Sequence, residues 1–160
     1  AFTTSRPPVY TTNNPSGETL SQKNALKKAK SYLSLMSFSR EGLISQLEYE
    51  GFSYEDCVYA VDNCGANWNE QAVKEAKSYL RTTSFSREGL ISQLEYEKFT
   101  HEQSVYGVDN SGADWNEQAA KKAKSYLDIM PFSREGLISQ LEFEKFTHEQ
   151  ALYGVSANGL

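Results

Sequence analysis

Phe38-Ser39-Arg40-Glu41-Gly42-Leu43-Ile44-Ser45-Gln46-Leu47-Glu48 returns letter for letter at Phe85 to Glu95 and at Phe132 to Glu142. Within it the apolar residues fall at Leu43, Ile44 and Leu47, a helical and not an alternating spacing, directly after a Ser at the position of an N-cap. The stretch therefore predicts a short amphipathic helix, written three times at a constant offset of 47 residues. The repeat, not the whole chain of 160 residues, is the unit of folding.

Working outward, Ala29-Lys30-Ser31-Tyr32-Leu33 recurs at Ala76 to Leu80 and Ala123 to Leu127 and closes an earlier helix in each unit. In the middle unit Asn67-Trp68-Asn69-Glu70 has the form of a capping box, followed on one face by Trp68, Ala72, Ala76, Tyr79 and Leu80. A third helix starts at Thr100-His101-Glu102-Gln103, at Thr147 to Gln150 and at Ser53 to Asp56, with Val105 and Val108 inward. Gly65, Gly112 and Gly159 suit its C-terminal cap. The fold class is all-α: three tandem units of three short helices, with helices two and three joined as tightly as in a helix-turn-helix hairpin. Leu43, Ile44, Leu47, Phe38 and Phe52, with their counterparts, are the expected core.

The units span 19–66, 67–113 and 114–160, behind a Thr-, Asn- and Pro-rich leader over 1–18 that reads as a flexible linker. The chain begins at Ala1, which suggests a processed or a truncated form, with any targeting segment missing from it. Trp68 and Trp115 open their units directly after short connections, whereas the first unit has Ser21 there. Each Trp is expected to plug the seam to the preceding unit, against the alternative of packing within its own. Cys57 and Cys64 both become Ser in the second unit, which suggests a disulfide. A continuous helix would hold their Cα atoms about 10 Å apart, beyond the roughly 7 Å a bridge spans. Bridge and free thiols both stay open.

Aromatic residues at 12% and apolar ones at 39% support packed cores, while the net charge of −5 disfavours polyanionic partners. The helix-turn-helix spacing invites a DNA reading, but the third helices contain no Lys or Arg, and Glu55, Asp56, Asp62, Glu102 and Asp109 would repel phosphates. Nucleic acid is thus excluded. His101 and His148 stand where the first unit has Tyr54, and no metal-ligand spacing, nucleophile set or phosphate loop appears. A non-enzymatic protein with no cofactor and no metal is expected, present as a monomer.

What remains is surface. Gly42, Ser45, Gln46 and Tyr49, with Gly89, Ser92, Gln93, Tyr96 and Gly136, Ser139, Gln140, Phe143, form a stripe opposite the predicted core. Tyr59, Tyr106 and Tyr153 point outward from helix three. Carboxylates flank these aromatics at Glu48, Glu50, Glu95, Glu97, Glu142 and Glu144, which together form a candidate protein-binding surface for a basic or amphipathic partner. Helix one carries the opposite charge, in outward rows Lys23, Lys27, Lys30; Lys74, Lys77, Arg81; and Lys121, Lys124, read as support for stacking.

Ala120-Lys121-Lys122-Ala123-Lys124-Ser125-Tyr126-Leu127, the eleven-residue stretch, Phe99-Thr100-His101-Glu102-Gln103 and Tyr106-Gly107-Val108-Asp109-Asn110-Ser111-Gly112-Ala113-Asp114-Trp115-Asn116 together resemble the repeat of the Ltp-type host-cell-surface-exposed lipoproteins, over about residues 20 to 160. The resemblance implies small helical modules displayed outside Gram-positive bacteria behind a lipid-anchored leader. For prophage-encoded members it implies superinfection exclusion, in which the modules engage an incoming phage's tape-measure protein and DNA injection stalls. It implies no cofactor or catalytic residue and assigns no binding residue. A surface spacer without a phage ligand is the other reading.

Overall fold

The computed structural model describes residues 17–160; the expected leader, up to residue 16, lies outside the described residues. Those residues form α1 (Leu20–Leu35), α2 (Arg40–Tyr49) and α3 (Tyr54–Asn63) in the first repeat. The second holds α4 (Trp68–Thr82), α5 (Arg87–Tyr96) and α6 (His101–Asp109), and the third α7 (Trp115–Ile129), α8 (Arg134–Phe143) and α9 (His148–Ser156). Among the described residues there is no strand.

Polar side chains start these helices where the sequence places them. Ser39, Ser86 and Ser133 each accept the backbone N–H of the third residue onward, and Thr19, Thr100 and Thr147 form reciprocal capping boxes with Gln22, Gln103 and Gln150. Asn67 caps α4 through the N–H of Glu70. Between helices two and three the chain turns through one left-handed residue, Gly51 at φ 93° and its counterparts Lys98 at 68° and Lys145 at 70°. Only the first repeat uses the residue without a Cβ penalty there; a lysine costs roughly 1 kcal/mol in that conformation. Gly65, Gly112 and Gly159 also have positive φ at the ends of the third helices.

Each repeat has its own core. Leu43, Ile44 and Leu47 are at most 2% exposed and pack with Ala25, Ala29, Cys57, Ala60 and Val61. The counterpart sets are Leu90, Ile91, Leu94 with Ala72, Ala76, Val108, and Leu137, Ile138, Leu141 with Ala119, Ala123, Val155. Full burial of each Leu contributes about 1.5–3 kcal/mol, so the repeated letters hold shape first. Small residues let helices one and three meet closely: a Cβ added to Gly107 would stand 2.6 Å from the Ala72 backbone, and one on Gly154 2.7 Å from that of Ala119.

The seams between repeats are specific. Trp68 packs against the core of the first repeat and Trp115 against that of the second, which selects the seam reading over packing within its own repeat. Gln71, 6% exposed, accepts the backbone N–H of Phe38 at 3.3 Å, and Gln118 accepts that of Phe85 at the same distance. Ser39, having capped α2, donates its hydroxyl to the Glu97 carbonyl at 2.5 Å, and Ser86 does likewise to Glu144. One serine thus starts a helix and also locks the next repeat.

The structure decides between the two readings left open for the cysteines. Cys57 and Cys64 are free thiols, Cys57 buried and Cys64 half-buried. The reason is the one geometry offered: α3 runs unbroken from Tyr54 to Asn63, so the two sulfurs never approach bonding distance. Burial pushes the Cys57 thiol up and keeps it protonated.

Candidate protein-interaction surface

The carboxylate after each helix two is tied down by the helix before it. The Tyr79 hydroxyl donates to Glu97 at 2.7 Å while Gln93 donates to the same hydroxyl at 3.0 Å. Tyr126 with Glu144 and Gln140, and Tyr32 with Glu50 and Gln46, repeat the arrangement. Each Tyr also meets the Phe of the eleven-residue stretch edge to face, at 5.6–5.7 Å between centroids. In the first and third repeats a lysine closes the group: Lys28 lies 3.4 Å from Glu50 and Lys122 3.4 Å from Glu144.

The middle repeat has Glu75 in that place, turned instead onto Ser37 of the first repeat. Burial, helped by Glu97, pushes the Tyr79 phenol up to about 12. In the first repeat the Tyr32 hydroxyl, more than Lys28, holds the Glu50 carboxyl below its ordinary range.

These bonds correct part of the candidate surface. Glu50, Glu97 and Glu144 latch helix one to helix two, and Glu97 also lines the groove at the first seam. Gln46, Gln93 and Gln140 were expected opposite the core, yet they are half-buried and turned to the Tyr hydroxyls. Two further carboxylates are engaged by the start of helix three: His101 Nδ1 sits 2.5 Å from Glu95 and His148 Nδ1 2.6 Å from Glu142. The first repeat has Tyr54 there, so Glu48 stays exposed without such a partner. Arg40 reaches Asp62, and Arg87 holds Asp109 by two bonds of 2.7 and 2.8 Å, which lowers the Asp109 carboxyl. Tyr59 is half-buried and bonded to Glu18, and burial before that bond raises its phenol. Tyr106 and Tyr153 remain outward, a little under half exposed.

The aromatics ending helix two stand open in all three repeats. Tyr49 is 87%, Tyr96 81% and Phe143 77% exposed, so each leaves a large ring in water at the same position. Sequence reasoning placed these rings but missed their setting. Tyr49 and Tyr96 line an open groove of about 940 Å³ along the first seam. Leu35 and Met36 also line it, with Lys74, Lys77, Arg81 and Lys98. The outward lysine row of helix one was legible as a row; that α4 turns it toward the rings of two repeats depends on the seam. Among the described residues no cluster of His, Cys, Asp or Glu could hold a metal ion, and no helix is long and apolar enough to cross a membrane.

Comparison with known proteins returns one fold and one family. The structure of Ltp, a superinfection exclusion protein from the Streptococcus thermophilus temperate phage TP-J34, is 42% identical over 57% of this chain and 95% of its own, with a TM-score of 0.54. That share is close to the length of two repeats. No curated protein matches the chain. The family described as host cell surface-exposed lipoprotein matches three times, at residues 21–64, 67–110 and 114–157, one match per repeat. With three helical repeats and three family matches in the same register, the chain belongs to the Ltp-type host cell surface-exposed lipoprotein family.

Proposed function

We propose that this chain is a non-enzymatic, surface-displayed interaction module that excludes superinfecting phage by binding a phage protein. The observation that carries the reading is the 42% identity, over nearly the whole of the solved protein, to one that performs superinfection exclusion. The partner that fits best is the tape-measure protein, whose capture would stall DNA injection, with a lipid group upstream of Ala1 as the anchor. Tyr49, Tyr96 and Phe143 are the contact residues: they recur at one position, project into water and are unused by the fold, as interface anchors should be. The exposed acids that open the third helices, Glu55, Glu102 and Glu149, form the rim and favour a partner with basic segments.

A spacer role is the second reading, favoured by one observation: about half of the eleven repeated residues serve caps, core and seams, and most of the others bond within their own repeat. Display of the lipid-anchored chain on a sensitive host, followed by phage challenge, separates the two. Exclusion of infection, with purified tape-measure fragments bound and affinity falling roughly tenfold or more in Tyr49→Ser/Tyr96→Ser/Phe143→Ser, supports the interaction module. Full infection with no fragment bound leaves the spacer.

A further inference from the structure

The first seam contradicts the charge of the chain around it. The molecule carries −5, yet the groove between repeats one and two is flanked by four cations, Lys74, Lys77, Arg81 and Lys98, against two carboxylates, Glu75 and Glu97. Both carboxylates are satisfied from within, Glu75 by the Ser37 hydroxyl and Glu97 by that of Tyr79. Lys98 donates to Ser45 across the seam at 2.8 Å, while Lys74, Lys77 and Arg81 have no carboxylate partner among the described residues. Arg81 also lines two smaller clefts toward the third repeat, one with Lys121 and Lys122 and no carboxylate, the other with Asp114 and Glu117 beside its cations. Beside these cations stand Leu35, 77% exposed, and Met36, 59% exposed, with Tyr49 and Tyr96 at the lips.

Unpaired cations next to exposed aliphatic and aromatic side chains, in an open trough, have one simple complement. We infer that the groove of the first seam docks an acidic amphipathic segment of a protein, apolar side chains on Leu35, Met36, Tyr49 and Tyr96 and carboxylates on Lys74, Lys77 and Arg81. A polyanion without apolar groups would leave the first set wet. Tyr49 and Tyr96 are shared with the contact surface proposed above: basic segments of a partner suit the acidic third helices, whereas the segment that enters this groove must be acidic. The inference does not depend on the phage reading, because it rests on the groove alone.

The equivalent second seam is its internal control. There Thr82 and Thr83 replace Leu35 and Met36, Asp128 replaces Arg81, and Lys124 is held by Asp128 at 2.9 Å. The same backbone thus carries an apolar, cationic trough at one seam and a polar one at the other.

The test uses the intact chain and fluorescent peptides of about sixteen residues, long enough to form a helix. One has Leu along one face and Glu along the other; a second replaces Glu by Lys. Titration by fluorescence polarisation, with amide shifts to locate the site, should show the acidic peptide bound and shifts centred on α1 and α4. Lys77→Glu/Arg81→Glu should weaken it roughly tenfold or more and Lys77→Gln/Arg81→Gln by a smaller factor; Met36→Asp should weaken it also, and Lys124→Glu should not. The Gln pair keeps the test decisive if the Glu pair fails to fold. Four results would each overturn the inference: no binding of the acidic peptide near about 1 mM, equal binding of the Lys peptide, indifference to both α4 pairs, or equal binding of polyglutamate or of phosphatidylglycerol vesicles, which would mark a polyanion site.

Discussion

At the first seam Phe38 N–H bonds Gln71, Ser39 bonds the Glu97 carbonyl and Trp68 enters the preceding core; at the second Phe85, Ser86, Gln118, Glu144 and Trp115 do the same. The two junctions share these contacts, while the Ser37–Glu75 and Lys98–Ser45 bonds cross the first alone. They part further in what faces water. Leu35-Met36 against Thr82-Thr83, and Arg81 against Asp128, turn one copy into an apolar, cationic trough and leave the other polar. Duplication therefore supplied rigidity twice, and the few positions outside the shared contacts were free to diverge. Differences between copies point to function more directly than their identities do.

The strongest way to break the seam comparison is Trp115→Ala. Loss of a half-buried indole should cost about 3 kcal/mol and uncouple the third repeat, which a urea titration would record as a second transition. Trp68→Ala should do the same to the first repeat. If both melt in one unchanged transition, the Trp residues do not hold the seams.

Next in size is a contrast inside the repeats. Gly107→Ala forces a Cβ onto the Ala72 backbone at 2.6 Å and should lower stability by about 2 kcal/mol. The first repeat already carries Ala60 at that position, fully buried, so its helices must sit slightly further apart there. A neutral Gly107→Ala, by thermal melt, would show that the second repeat relaxes equally well.

A smaller effect of opposite sign is expected at Ser104. Its hydroxyl is buried with no hydrogen-bond partner among the described residues, whereas the third repeat has Ala151 there. Ser104→Ala should raise stability by about 1 kcal/mol, seen as a higher melting temperature.

The smallest concerns the ion pair that the third repeat lacks. Arg87 holds Asp109, but Arg134 faces Ser156 in place of an aspartate. Ser156→Asp should add only a few tenths of a kcal/mol, as exposed pairs do. The sign with pH follows from Asp109, whose folded carboxyl is lowered by Arg87: the gain is present above the ordinary carboxylate range and lost as pH falls through the folded value. A gain that persists in acid would mean that something other than the ion pair produced it.

Much of this molecule is written locally. Helix periods, serine and threonine caps and the three-fold spacing depend on residues a few positions apart, so they were readable without coordinates. The Trp seam was readable too, because one large ring absent from the first unit needs a neighbour. The partners of Glu50, Glu97 and Glu144 were hidden for a physical reason: a carboxylate at a helix end looks the same whether it faces water or a Tyr hydroxyl 18 residues upstream. The same limit hid the groove, whose walls come from α1, α2, α4 and the turn after α5. By itself the sequence determined that there are three helical units, where each helix starts and what fills each core, since those depend on short-range spacing and burial. Only the tertiary structure decided which charges are spoken for and which stand open, because that depends on atoms brought together from positions far apart in the chain.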